Sequence, residues 1–333
     1  MLQLPEHRGE ISRVLLDALV RDPHSVPATV APVTGDPLSD DDLQLALYLC
    51  YELHYRGLPG VSDDWEWEPS LLALRRQLEA RFEAGLLDVL GAPEGAVAAE
   101  DMDVALRAVE AADDAPSLSR HLEREGTRDE MLEFIVHRSA YQLKEADPHS
   151  WALPRLTGAP KAAMVEIQAD EYGGGNAERM HSALFAKSMD GLGLDSLYGA
   201  YLDRIPGVTL ATVNLMSLLG LHRRWRGALV GHLALFEISS SVPNRRYGNG
   251  LRRLGYDRET TDFFDEHVTA DAVHEAIAAV DLAGGLVRQD PALSADVIWG
   301  AKALVELEGR FARRLLDAWG QGRSSLLERL VNA

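Results

Sequence analysis

Stretches such as LYLCYELHYRG at 47–57 and WEWEPSLLALRRQLEARFEAGLL at 65–87 carry Leu, Ala, Glu and Arg at helical spacing. Period-2 runs rich in Val, Ile and Thr are almost absent, so the chain is read as all-α. Helices are expected over 40–57, 69–90, 100–112, 117–124, 127–145, 159–187, 193–203, 208–220, 222–240, 244–253, 258–281 and 292–318. Between them stand the breakers GLPGVSDD, GAPEGA, ADDAPS, EADPHSWALP and SSSVPN. ADDAPS suggests a boundary, with residues 1–115 as an N-terminal helical extension packed on a core domain of residues 116–333. Packing is expected because the extension has Leu and aromatic faces that need covering.

Composition narrows the function. The 333 residues are 46% hydrophobic, and no run approaches 18 apolar residues, so no membrane span is expected. The N-terminus lacks the basic region and apolar core of a signal peptide, which predicts a cytoplasmic protein. A net charge of −19 opposes nucleic-acid binding. With Cys50 as the only cysteine, there is no internal disulfide and no multi-thiolate metal site, so any metal must use His and carboxylates.

Such residues are present at helical spacing. In FDEHVTADAVHEA, His267, Asp271 and His274 are four and three apart, within roughly a 60° arc of one helix face. Imidazole with carboxylate suits iron, manganese or zinc better than calcium or magnesium. The competing reading is a solvated polar stripe, and the choice turns on ligands from other helices. DEYGGGNAERMHSALF offers Glu171, Glu178 and His181, the last two at i, i+3 and the first two seven apart, on one helix face. Glu-x-x-His is the pattern that di-metal bundles draw on.

Three glycines, Gly173, Gly174 and Gly175, either end one helix and start another or admit a neighbouring backbone or a substrate. A phosphate loop is not supported, since no strand precedes them and no Lys-Ser/Thr pair follows. Glu237, flanked by Leu235, Phe236 and Ile238, is costly to bury unless paired or metal-bound, and otherwise faces solvent. His232 is either a supporting partner of Glu237 or a core histidine. Glu52 and His54 diverge on a helix and read as structural, as do His121, His149 and His222. Arg245, Arg246, Arg252 and Arg253 offer guanidinium forks for a substrate carboxylate, against the simpler reading of solvated helix ends.

The ordered set Glu171, His181, Glu237, His267, Asp271 and His274 resembles the ligand pattern of the haem-oxygenase-like di-iron oxidases and oxygenases, the iron-containing redox enzymes. The resemblance covers about residues 117–285. It implies a haem-oxygenase-like bundle of about seven core helices, two iron ions, and O2 as co-substrate. It also places Glu145, 26 residues before Glu171, where a further ligand can join, and leaves Glu178 as another candidate. Two iron(II) ions carry four charges; Glu171, Glu237 and Asp271 balance three, and Glu145 or Glu178 the fourth.

Haem itself is the rival suggested by such a fold, with His137 as axial ligand. It would leave three carboxylates and three histidines without a use. The implied activity is oxidation of a small amine, amino acid or similar metabolite, by N-oxygenation or oxidative C–C cleavage, as in biosynthetic pathways. A route through tyrosine stays open for Tyr141, Tyr172, Tyr198 and Tyr201. Expected partners are a small-molecule substrate, an external electron donor and a second copy in a homodimer. The alternative is a metal-binding helical interaction protein without turnover.

Overall fold

A computed structural model describes residues 4–27, 35–328 and 330; the side chains of residues 271–273, Asp271 among them, lie outside the description. The described chain is helical, without strands. In order it forms α1 (Glu10–Leu19), α2 (Asp41–Glu52), α3 (Pro69–Leu90), α4 (Met102–Ala111), α5 (Leu118–Arg124), α6 (Arg128–Gln142) and the short α7 (Asp147–Ser150). There follow α8 (Gly158–Glu171), α9 (His181–Gly191), α10 (Gly207–Leu221), α11 (Arg226–Arg253), α12 (Arg258–Ala276), α13 (Gly285–Gln289) and α14 (Ser294–Gly320). A π-helical segment, Ile277–Gly284, joins α12 to α13.

Several starts are fixed by short polar caps. Asp40 accepts from the Leu43 amide at 2.8 Å and Asp257 from the Thr260 amide at 3.0 Å. Thr127 and Glu130 form a reciprocal capping box at the start of α6, with bonds of 2.7 and 3.2 Å.

Helix α10 is largely apolar and is buried from Gly207 to Gly220, as expected of a helix at the centre of a core. It lies against α2, α11 and α14. Helices α11 and α14 cross closely because neither has a side chain at the crossing. A Cβ on Gly231 would fall 1.8 Å from the Val297 carbonyl oxygen, and one on Gly300 would fall 1.9 Å from that of Ala228. Trp225 and Trp299 stack near this crossing, with ring centroids 4.9 Å apart.

Residues on both sides of position 115 share one buried cluster, from Ile11 and Leu43 to Leu307 and Leu326. Asp42 binds the Ile11 and Ser12 amides at 2.8 and 2.7 Å, tying α1 to α2. Among the described residues no helix is long and apolar enough to cross a membrane.

Four expectations need correction. The helix expected over 159–187 is broken between Tyr172 and Met180, where Gly173, Gly174 and Gly175 all take positive φ. Helices expected at 222–240 and 244–253 are continuous as α11, which carries Pro243 internally. Proline removes one ladder bond there, and the packed turns on either side hold the helix together. No α-helix forms over 193–203; the segment has turns, with a 3-10 turn at Leu202–Arg204. Finally, α6 ends at Gln142 rather than 145, which releases Glu145 from the helix.

Candidate metal centre

Five segments deliver six buried side chains to one place. Glu145 comes from the turn after α6, Glu171 is the last residue of α8, and His181 is the first of α9. Glu237 lies within α11, while His267 and His274 lie on α12. They form two groups: Glu145, Glu171, His181 and His267, and Glu171, Glu237 and His274. Within each group the potential ligand atoms lie within 4.8 Å of one another, and Glu171 belongs to both.

The broken helix produces the meeting of Glu171 with His181. Gly173 has φ 67°, and a Cβ on it would stand 2.6 Å from the Arg179 carbonyl carbon. The returning chain therefore passes directly over the end of α8. His181 Nδ1 reaches to 2.9 Å from Glu171 Oε2.

Hydrogen bonds outside the cluster decide which nitrogens face inward. A carbonyl can only accept, so the 2.8 Å contact of His267 Nδ1 with the Phe263 carbonyl puts the proton on Nδ1. The His267 Nε2 lone pair is then directed to the cluster, 3.4 Å from Glu145 Oε1. His274 is turned the other way. Its Nε2 donates to Asp170 Oδ2 at 3.0 Å, and its Nδ1 lies 3.3 Å from Glu237 Oε2 and 4.0 Å from Glu171 Oε1. A carboxylate or carbonyl behind a ligating imidazole is the usual support of a metal site.

The electrostatics call for a cation. Burial raises the carboxyl pKa values of Glu145, Glu171 and Glu237, and only histidines act against it among the main influences on these groups. Burial, with His267 adding to it, pushes His181 down to about 4. Burial also opposes the charge on His274, but Glu237, Asp170 and Glu171 outweigh it and hold this imidazole at about 9. Glu145 Oε2 and His181 Nδ1 are buried without a hydrogen-bond partner. Such orphaned acceptors cost about 1–3 kcal/mol each. A shared divalent ion of the kind bound by N and O ligands would satisfy them, so the residues present fit a metal cofactor.

The remaining candidates fall elsewhere. Glu178 is corrected: it belongs to a separate 3-10 turn, Ala177–Arg179, its side chain is 81% exposed, and it pairs with Lys187 at 3.1 Å. Met180 adopts an extended backbone between Glu178 and His181, so the i, i+3 helix face expected for them does not exist. Asp271 lies on α12 between the two histidines, but its side chain is outside the described residues.

His137 bonds Thr209 Oγ1 at 2.8 Å and Ser325 Oγ at 3.0 Å through its two ring nitrogens, and so has no free nitrogen for haem iron. The space among the cluster side chains is about 10 Å³, far too small for a macrocycle. His232 is a buried partner of His149, at 3.0 Å. His222 pairs with Glu79 at 3.0 Å and His121 with Glu130 at 3.3 Å. Glu52 and His54 do diverge, Glu52 to Lys144 and His54 to Glu66.

Arg252 pairs with Asp265, and Arg253 caps the carbonyls of Leu122, Glu123 and Gly126. Arg245 is exposed, whereas Arg246 lines a cavity of about 610 Å³ beside the cluster. Phe236 and Ser240 line both that cavity and the cluster. Of the tyrosines, Tyr141 lines the cluster, while Tyr172 is held by Ser150 and Asp147 at 2.9 and 2.8 Å. Sequence reasoning missed Asp170. Its only signal was its place next to Glu171, since consecutive residues on a helix point about 100° apart.

Comparison with known proteins agrees with this geometry. The model of the iron-containing redox enzyme family matches residues 132–309, a span that contains all six clustered residues. Nitrosourea synthase of Streptomyces achromogenes subsp. streptozoticus is 26% identical over 232 residues, covering 67% of this chain and 49% of that protein. The chain therefore spans about half the length of this curated relative. With more than half of its residues matched, this all-α chain belongs to the family of iron-containing redox enzymes and has their haem-oxygenase-like fold.

Proposed function

We propose that the protein is an O2-dependent non-haem di-iron oxidase or oxygenase acting on a small amine, amino acid or similar metabolite. The observation that carries this reading is the pair of buried donor groups joined by Glu171. In this reading Glu145, Glu171, His181 and His267 hold one iron, and Glu171, Glu237 and His274 hold the other. Asp271 is the further candidate on α12. Two ferrous ions supply the electrons and the open coordination that O2 reduction needs.

The protein's own part is to orient, to dry and to manage protons. The Phe263 carbonyl and Asp170 fix the rings of His267 and His274, so that one nitrogen of each is presented inward. On loading, His274 gives up the proton on Nδ1 and keeps the one on Nε2 against Asp170. Phe185, Phe263 and Phe264 form an aromatic wall, with the Phe263 ring tilted against His267 at a centroid distance of 4.3 Å, and limit water on that side. The substrate occupies the cavity behind Phe236 and Ser240. Arg246, beside Ser119 at 3.3 Å, offers a guanidinium to a substrate carboxylate there. Among the two outcomes implied by the family, the relative's name favours oxidation at nitrogen.

The test is O2 uptake by anaerobically iron-loaded protein with a chemical reductant and a panel of small amines and amino acids. The expected result is substrate-dependent O2 consumption, a product that has gained oxygen or lost a carbon fragment, and loss of both in His267→Ala. Two bound irons with no oxidation across the panel would favour a metal-binding interaction protein instead.

A further inference from the structure

The turn that presents Glu145 is held from both sides, and one side belongs to the N-terminal extension. Lys144 and Glu145 leave this turn in opposite directions. Glu145 enters the metal cluster, whereas the Lys144 ammonium is buried against Glu52 of α2. It lies over the rings of Tyr55 and Tyr48, 4.4 and 4.8 Å from their centroids. The second oxygen of Glu52 accepts from the Tyr198 hydroxyl at 2.6 Å, and Tyr55 is fixed to Ser217 of α10 at 3.0 Å. Arg56, also in the extension, donates to the Leu143 carbonyl at 3.0 Å.

On the opposite flank Gln168 of α8 donates to the Ala146 carbonyl at 3.0 Å. Ala146 itself has φ 74°, the only positive φ outside glycine among the described residues. An L-residue is held in that region only when its surroundings over-determine it. The Glu145 carboxylate therefore reaches the cluster from a backbone turn that residues distant in sequence hold in place.

We infer that Glu52 and Lys144 are positioning residues: their buried pair fixes the Leu143–Ala146 turn so that Glu145 faces Glu171, His181 and His267. Occupancy of that half of the centre then depends on the N-terminal extension, although the extension supplies no ligand. A buried ion pair is a poor source of net stability and a better source of a unique arrangement, which is the role assigned here. The inference rests on the reading of the cluster as a metal centre.

The experiment is a Mn(II) titration followed by electron paramagnetic resonance. It uses the wild-type chain, the paired change Glu52→Gln with Lys144→Met, Glu237→Ala, and Glu237→Ala carrying the same paired change. The paired change removes both buried charges together, so neither is stranded, and a single cooperative thermal transition in the metal-free protein verifies the fold. In the Glu237→Ala background the remaining ion is the one beside Glu145. The paired change is expected to weaken it by about tenfold or more, the scale on which supports of metal ligands act. In the wild-type Glu237 background the same change leaves the His274-side ion tight. Unchanged Mn(II) affinity in the folded triple variant overturns the positioning role alone. A wild type that binds no Mn(II) overturns the reading of the cluster, and the inference with it.

Discussion

His181 Nδ1 stands 2.9 Å from Glu171 Oε2 yet forms no hydrogen bond with it. Two ligand atoms each about 2.1 Å from one ion sit about 3 Å apart when they subtend a right angle there. The pair thus has the spacing of neighbouring ligands and lacks the geometry of donor and acceptor. Removing one of them has different consequences from removing the other. His181→Ala is expected to lose the Glu145-side ion and keep its neighbour, whereas Glu171→Ala is expected to weaken both, because Glu171 belongs to both groups. Equilibrium dialysis with elemental analysis reads the difference.

Asp170 touches the centre only through His274 Nε2, at 3.0 Å. Asp170→Asn keeps the shape and removes the charge that holds the imidazole in place. The expected result is a 10–100-fold weaker ion on the His274 side, the usual cost of losing such a support. Competition with a chelator of known affinity measures it, and equal weakening of the two ions would contradict the separate roles of the two groups.

The metal-free protein should respond to pH in the opposite sense to metal binding. His274 is held at about 9 against an ordinary value of 6.5, so its contribution to stability is complete below about 6.5 and is lost as pH rises through about 9. The same proton competes with the ion at Nδ1. Between these limits the metal-free midpoint of unfolding should fall while metal affinity rises, and His274→Gln should flatten the part of both trends due to this group. Chemical denaturation of chelated protein and metal titration at matched pH check the two slopes.

Six residues before Glu237 on α11, Gly231→Ala tests the closest helix crossing. The added methyl would meet the Val297 carbonyl at 1.8 Å, so α11 and α14 must separate. Overpacking of this kind costs about 1–3 kcal/mol or more. Urea unfolding should show that loss, and the folded fraction should still bind metal, since the clash is with Val297 of α14, which supplies no ligand.

Helical class and most boundaries were legible in the sequence because apolar periodicity and polar caps act locally. His267 and His274 were legible for the same reason, being seven residues, about two turns, apart on a single helix. Their partners were harder to read where the chain leaves the helix. Glu178 has helical spacing to His181, but the glycine run and Met180 break the helix between Glu171 and His181, and Glu178 turns to solvent. Glu145 enters the cluster from a turn and not from a helix, and that turn is held by Glu52 through Lys144, by Arg56 and by Gln168 from distant segments. Helix α1 was not expected at all; its N-cap is Gly9, which has no side chain, and the capping carboxylate is supplied by Asp42. Pro243 and the serines before it read as a break, yet Ser239 bonds back to the Leu235 carbonyl at 2.8 Å within an unbroken α11.

Whether Glu171 joins a two-metal centre is decided by anaerobic iron(II) titration of the chain read by Mössbauer spectroscopy. The expected result is two irons per chain in nitrogen- and oxygen-rich sites, magnetically coupled after oxidation. A limit of one iron, or two uncoupled irons that persist in Glu171→Ala, would contradict it.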